Sequence, residues 1–182
     1  MRNQVRIIGG RWRASKIVFP AGEAIRPTPD RLRETLFNWL QFSLHGARVL
    51  DLFAGSGVLG LEALSRGATG LHSVDTDPAV IAHLGRLKKR FDCDNWRIFQ
   101  HDYAQFIRAG GGMYDVVFLD PPFQAGFLQT ACRLLAGAGM LHAGSLVYGE
   151  CRAGQAFPEV PGWSLQKQKC AGEVRSVLYG VG

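Results

Sequence analysis

Hydrophobic and polar positions fall into blocks along this chain, and the blocks change period. From Arg48 the order is an apolar run, Val49-Leu50 and Leu52-Phe53 split by Asp51. Ala54-Gly55-Ser56-Gly57 then removes side chains where the backbone must turn, and Val58 to Ser65 continues as a helix. The same alternation follows. Leu71 to Asp75 reads as a strand, Asp77-Pro78 as a helix cap, and Val80, Leu84, Leu87 and Phe91 as the inner face of a helix that ends in Arg86, Lys88, Lys89 and Arg90. Those four cations suit a helix C-terminus. Trp96 to Gln100 is a third strand, Gly110-Gly111-Gly112 a turn, and Tyr114 to Leu119 a fourth strand apolar enough for the centre of a parallel sheet. Phe127 to Leu135 reads as a helix and Leu146 to Tyr148 as a fifth strand, and Trp163 to Lys169 with Val174 to Tyr179 reads as a closing antiparallel pair. The pattern predicts an α/β domain with a doubly wound, mostly parallel sheet and helices on both faces.

Ahead of that domain the pattern differs. Val5 to Ile8 and Lys16 to Phe19 flank Gly9-Gly10 as a hairpin carrying Arg6, Arg11, Arg13 and Lys16. Thr28 as N-cap and Pro29 at the first position open a helix in which Leu32, Leu36, Leu40 and Leu44 recur on one face. The division expected is a basic extension over 1–45 and a catalytic domain over 46–182. Charge sharpens it: the first 48 residues hold nine Lys or Arg against three acids, and the remaining chain holds twelve of each. All of the net +6 therefore sits at one end. A basic segment on a balanced domain points to a polyanion, since phosphate neutralisation supplies most sequence-independent affinity for nucleic acid. Arg6, Arg11, Trp12, Arg13, Arg26, Arg31 and Arg33 are the candidate RNA contacts. Trp12 between two arginines either stacks an unpaired base or closes the hairpin.

With no run of about 18 apolar residues the chain offers no membrane span, and M-R-N-Q-V-R opens without an apolar signal core. Four cysteines, Cys93, Cys132, Cys151 and Cys170, lie far apart without a C-x-x-C pair, so neither a metal site nor a disulfide framework is expected. A reduced, cytoplasmic protein follows, and nothing requires more than a monomer.

Two constellations carry chemistry. Gly55, Gly57 and Gly60 satisfy G-x-G-x-x-G, with Asp75 at the spacing of a ribose contact. A dinucleotide is disfavoured by Asp51, because a carboxylate beside a pyrophosphate turn repels it. A cationic ligand reverses the sign: S-adenosylmethionine bears a sulfonium and an ammonium, so Asp51 suits its methionine part, Asp75 its ribose and Asp102 its adenine amino group. Asp120-Pro121-Pro122-Phe123 ends the fourth strand, where ligands of open α/β sheets bind. Prolines lack amide donors, which leaves carbonyl oxygens and the Asp120 carboxylate as an acceptor-only ledge suited to an NH2 group, with Phe123 able to stack on a base.

R-I-I-G-G-R-W-R at 6–13, R-P-T-P-D-R-L-R-E-T-L-F-N-W-L at 26–40, D-L-F-A-G-S-G-V-L-G-L-E-A-L-S-R-G-A at 51–68 and V-F-L-D-P-P-F at 117–123 together resemble the bacterial RsmD family, 16S ribosomal RNA guanine-N2 methyltransferases. The resemblance implies a Rossmann-like class I methyltransferase with seven strands, the last antiparallel. It implies cofactor contacts at Asp51, Phe53, Gly55, Gly57, Asp75 and Asp102, catalysis at Asp120, Pro121, Pro122 and Phe123, and a nascent 30S particle as substrate. The chain departs from the family pattern at Ala14-Ser15, where a glycine and a basic residue are expected, and at Pro29. The competing readings are an amino-methyltransferase of DNA adenine or cytosine, and a non-catalytic RNA-binding assembly factor that keeps the fold.

Overall fold

A computed structural model describes residues 4–19, 30–122 and 126–182. The helix cap expected at Thr28-Pro29 lies outside them. Seven strands form the central sheet: β3 (Arg48–Asp51), β4 (Gly70–Asp75), β5 (Trp96–Gln100), β6 (Tyr114–Leu119), β7 (Leu141–Arg152), β8 (Trp163–Ala171) and β9 (Val174–Val181). Their spatial order is β5-β4-β3-β6-β7-β9-β8. Pairings among β3 to β7 are parallel, and β9 runs antiparallel to both β7 and β8, so the last strand is the reversed one. The strand order reverses between β4 and β6 around β3. That switch point opens a crevice at the carboxyl ends of the strands.

One face of the sheet is covered by α1 (Asp30–Trp39), α2 (Val58–Ser65) and α3 (Pro78–Arg90), the other by α4 (Tyr103–Ala109) and α5 (Phe127–Gly137). Alternation along each strand feeds both layers: Val49, Val116 and Phe118 pack on the first face, Leu50, Val117 and Leu119 on the second, all fully buried. The α3 cap is as expected, since the Asp77 side chain accepts from the Ala79 amide at 2.8 Å with Pro78 in the first turn. The short α4 is absent from the expectations above. It is launched by Asp102, whose Oδ1 accepts from the amides of Ala104 (2.8 Å) and Gln105 (3.3 Å).

Three further differences have simple causes. Leu40 and Leu44 continue the period of α1 and are buried, yet the helix ends at Trp39 and both lie in the turns that follow. β7 is longer than expected at both ends: at its start a register shift carries residues 142–145 as an irregularity between the pairs Tyr114–Leu141 and Val116–Leu146, and at its end Gly149 to Arg152 pair with β9. The hairpin is two short strands, β1 (Gln4–Arg6) and β2 (Lys16–Val18), joined through a 3-10 turn at Gly10–Trp12. Ala14 in that connection has φ +67°, the left-handed backbone that explains the expected glycine.

The hairpin is fastened to α2 by a buried acid. Both carboxylate oxygens of Glu62, which is fully buried, accept backbone amides, Ile8 at 2.7 Å and Gly9 at 2.7 Å, while Arg66 Nε donates to Oε1 at 2.9 Å. Ser65 continues the seam, donating to the Gly9 carbonyl at 2.6 Å and accepting from the Trp12 amide at 3.0 Å. Gly10 is required there, since a Cβ would sit 1.9 Å from the Ser65 carbonyl oxygen.

Candidate active site

The glycines of the β3–α2 loop divide their work. A Cβ on Gly57 would lie 2.5 Å from Leu84, and one on Gly60 2.6 Å from Leu71, so these two let α2 approach α3 and β4. Gly55, at φ +48°, meets only its own loop at 4.0 Å and leaves space for a ligand to approach the backbone. Asp75 holds this loop, accepting from the amides of Gly55 (Oδ2, 3.0 Å) and Asp77 (Oδ1, 3.0 Å). Each oxygen retains a second lone pair.

Four other acids join Asp75 on one edge, each placed by its own strand. Asp51 ends β3, Asp102 follows β5, Asp120 follows β6 and Glu150 lies in β7. Asp51 is 1 % exposed, and neither of its oxygens has a hydrogen-bond partner. Burial first, then the charges of Asp120 and Asp75, push its pKa up to about 7; the backbone N–H groups of Gly60 and Phe53 lie near enough to lower it in part, but neither reaches hydrogen-bonding geometry. An orphaned buried carboxylate costs free energy unless a cation or a proton joins it. Burial and the Asp120 charge push Glu150 up to about 8. It is 3 % exposed and accepts from the Tyr148 hydroxyl at 2.5 Å, a hydroxyl that also donates toward Ser176 Oγ at 3.1 Å as its alternative partner. Since Leu119 pairs with Gly149, Asp120 and Glu150 are the next residues along adjoining strands. Neither Glu150 nor Tyr148 stands out in the sequence, because an acid in a strand announces its role only once its neighbours are known.

An aromatic row flanks the acids. Phe53, Tyr103 and Phe127 follow three different strands, with ring centroids 5.1 Å and 5.7 Å apart. All three are half-buried, an apolar wall open to a flat ring. Asp120 is half-buried, Pro121 buried and Pro122 exposed. Phe123 lies outside the described residues.

Asp51, Phe53, Gly55, Gly57, Asp75, Asp102, Asp120, Pro121 and Pro122 thus converge on one sheet edge. The RNA candidates do not share one place. Arg6 and Arg31 are exposed, and Arg26 lies outside the described residues. Arg11, Trp12 and Arg13 sit by Ser65 at the far end of α2, away from the glycine loop. Arg33 corrects an expectation: it is fully buried, donating to the Arg6 carbonyl at 2.9 Å and to Asp30 at 2.5 Å, and so braces the hairpin against α1 instead of facing RNA. Its position three, four and seven residues before Leu36, Phe37 and Leu40 places it on the inner stripe. Trp12 packs its ring against Phe91 at 5.0 Å, which is the hairpin-closing alternative.

The family model described as conserved hypothetical protein 95 matches residues 5–180. The chain is 43 % identical over 177 residues to the ribosomal RNA small subunit methyltransferase D of Escherichia coli K12, covering 97 % of this chain and 89 % of that one. The chain belongs to the RsmD family of methyltransferases. Its relative of the same name in Haemophilus influenzae is 36 % identical over 182 residues, with 98 % of this chain and 94 % of that one covered. A solved structure described as putative methyltransferase yhhF from Escherichia coli superposes with a TM-score of 0.90 at 42 % identity over 98 % of both chains. The seven strands and the reversed last one are thus the architecture of a methyltransferase family, as the resemblance implied.

Proposed function

We propose that this protein transfers a methyl group from S-adenosylmethionine to the exocyclic N2 of one guanine in the 16S rRNA of the small ribosomal subunit. The observation that carries the reading is the orphaned, buried Asp51 beside the open backbone of Gly55, on the same edge as the Asp120-Pro121-Pro122 ledge. A ligand with an ammonium and a sulfonium supplies the positive charge that this acid-rich edge lacks, and Asp75 and Asp102 offer acceptors to hydroxyl and amino groups. When bound, the cofactor supplies an electrophilic methyl group. The names of the relatives at 43 % and 36 % identity support ribosomal RNA as acceptor.

On the protein's side the chemistry is positioning. Asp120 and the Pro121 carbonyl accept the two N2 protons, which fixes the amine and raises electron density on nitrogen. Held in this way, the N2 lone pair would face the methyl group that the bound cofactor would supply, and Asp120 would take up the N2 proton released on transfer. Phe123 and the Phe53-Tyr103-Phe127 row hold flat rings. Residues 1–45 serve as the RNA-contacting extension of a methyltransferase unit over 46–182, through Arg6, Arg11, Arg13, Arg26 and Arg31, acting as a monomer on a 30S assembly intermediate in the cytoplasm.

The test is Asp120→Ala. Transfer to 30S subunits is expected to fall by at least about 100-fold, with cofactor affinity, read by calorimetry, largely kept. Normal turnover in that variant contradicts the role. A preference for duplex DNA over 30S in the wild type would favour the DNA amino-methyltransferase reading, since an acceptor-only ledge recognises an amine without naming its base.

A further inference from the structure

The cations at the end of α3, which suit a helix C-terminus, do not stand alone. Arg90 Nη1 donates to the Lys16 carbonyl at 2.8 Å, tying the helix end to β2. The Trp12 ring packs on Phe91, and the guanidiniums of Arg11 and Arg90 cap the pair from outside, 3.8 Å from the Trp12 centroid and 4.9 Å from the Phe91 centroid. Arg11 and Lys88 both lie near enough to the Cys93 thiol to counteract, in part, the rise that burial gives its pKa. Arg13, Lys16 and Lys89 are exposed around this stack. Asp92 and Asp94 are also exposed here, and the cations outnumber them. Residues from two distant parts of the sequence therefore build one basic surface.

Its location separates it from the chemistry. α3 starts beside Asp75 at the acid edge and runs 13 residues, so Arg90 stands about 20 Å away. The Gly10–Ser65 seam likewise fixes the hairpin tip to the far end of α2.

We propose that Arg11, Arg13, Lys16, Lys88, Lys89 and Arg90 form a second docking surface, which grips the phosphate backbone of the rRNA at a place remote from the methylated base. The inference rests on the rRNA reading above. An arginine held over a ring loses less freedom on binding than a free one and keeps N–H donors that fit phosphate oxygens. Its cations come from the hairpin connection, β2 and the last turn of α3, so they offer several separate charges, as a backbone of evenly spaced phosphates requires.

The experiment uses the full chain with Lys16→Glu and Lys89→Glu combined, neither of whose side chains makes a contact in the seams described. Binding to 30S subunits is measured by filter retention from low to physiological salt, beside steady-state methylation. A binding affinity weakened by about tenfold or more, with the log-log salt slope reduced by about 2, is expected. KM for 30S rises to match, while kcat, cofactor affinity and melting temperature stay unchanged. The milder pair Lys16→Gln and Lys89→Gln should give a smaller loss in the same direction. Unchanged affinity and slope overturn the proposal, as does a wild type that does not bind 30S at all. A wild type that binds 30S without methylating it would instead overturn the proposed function, and the slopes would still decide this surface.

Discussion

Asp51 shows how a single side chain can report what is missing from its surroundings. Its carboxyl ordinarily titrates near 3.8, and in the fold it holds its proton to about pH 7. Between those values the folded protein keeps a proton the unfolded chain has lost, so this group's contribution to stability falls as pH rises through the window and levels off above it. A cation bound to Asp51 requires the ionised form and reverses the trend. Cofactor affinity should therefore rise by up to about tenfold per pH unit as pH climbs toward 7, then flatten. Asp51→Asn should remove most of that dependence and weaken binding by roughly 10- to 100-fold, the worth of a charge-assisted hydrogen bond. Calorimetry between pH 5 and 8, over about three pH units, reads both; an affinity that is flat with pH in the wild type contradicts the assignment of Asp51 to the cofactor's ammonium.

At the scale of elements, what could be read beforehand and what could not divide by how local the cause is. The β3–α2 loop, α3 with its Asp77 cap, and the strands at Trp96 to Gln100 and Tyr114 to Leu119 have local causes: an apolar run, a capping side chain, a glycine turn. Asp120-Pro121-Pro122 and the glycine loop were legible for the same reason. α4 was not, because seven residues give too little period and Asp102, which caps it, reads equally well as a ligand contact. Glu62 depends on amides dozens of residues away, and Glu150 on the Asp120 charge at the end of the neighbouring strand, so their roles are invisible until the sheet is assembled, whereas the burial of Arg33 could have been read from its place on the inner stripe of α1. Glu62 makes the point testable. Glu62→Ala strands two amides and the Arg66 guanidinium at the hairpin seam, and should cost about 3 kcal/mol in urea unfolding. A loss under about 0.5 kcal/mol would mean that the hairpin is held by its apolar contacts alone.

Across the whole molecule, charge is sorted by place. The sheet edge gathers Asp51, Asp75, Asp102, Asp120 and Glu150, while the excess of cations lies in the hairpin and at the end of α3. An acidic edge suits a cationic cofactor and an amine, and a separate basic surface suits the polyanion that carries the amine. Neither alone would serve a substrate that is at once a large RNA and a single base. Among the described residues no helix is long and apolar enough to cross a membrane. The most direct measurement is transfer of labelled methyl from S-adenosylmethionine to 30S subunits isolated from cells lacking this gene, followed by nucleoside analysis of the 16S rRNA. The account predicts label in N2-methylguanosine at a single position. Label in another nucleoside, or in DNA or protein with the 30S subunit untouched, would contradict it.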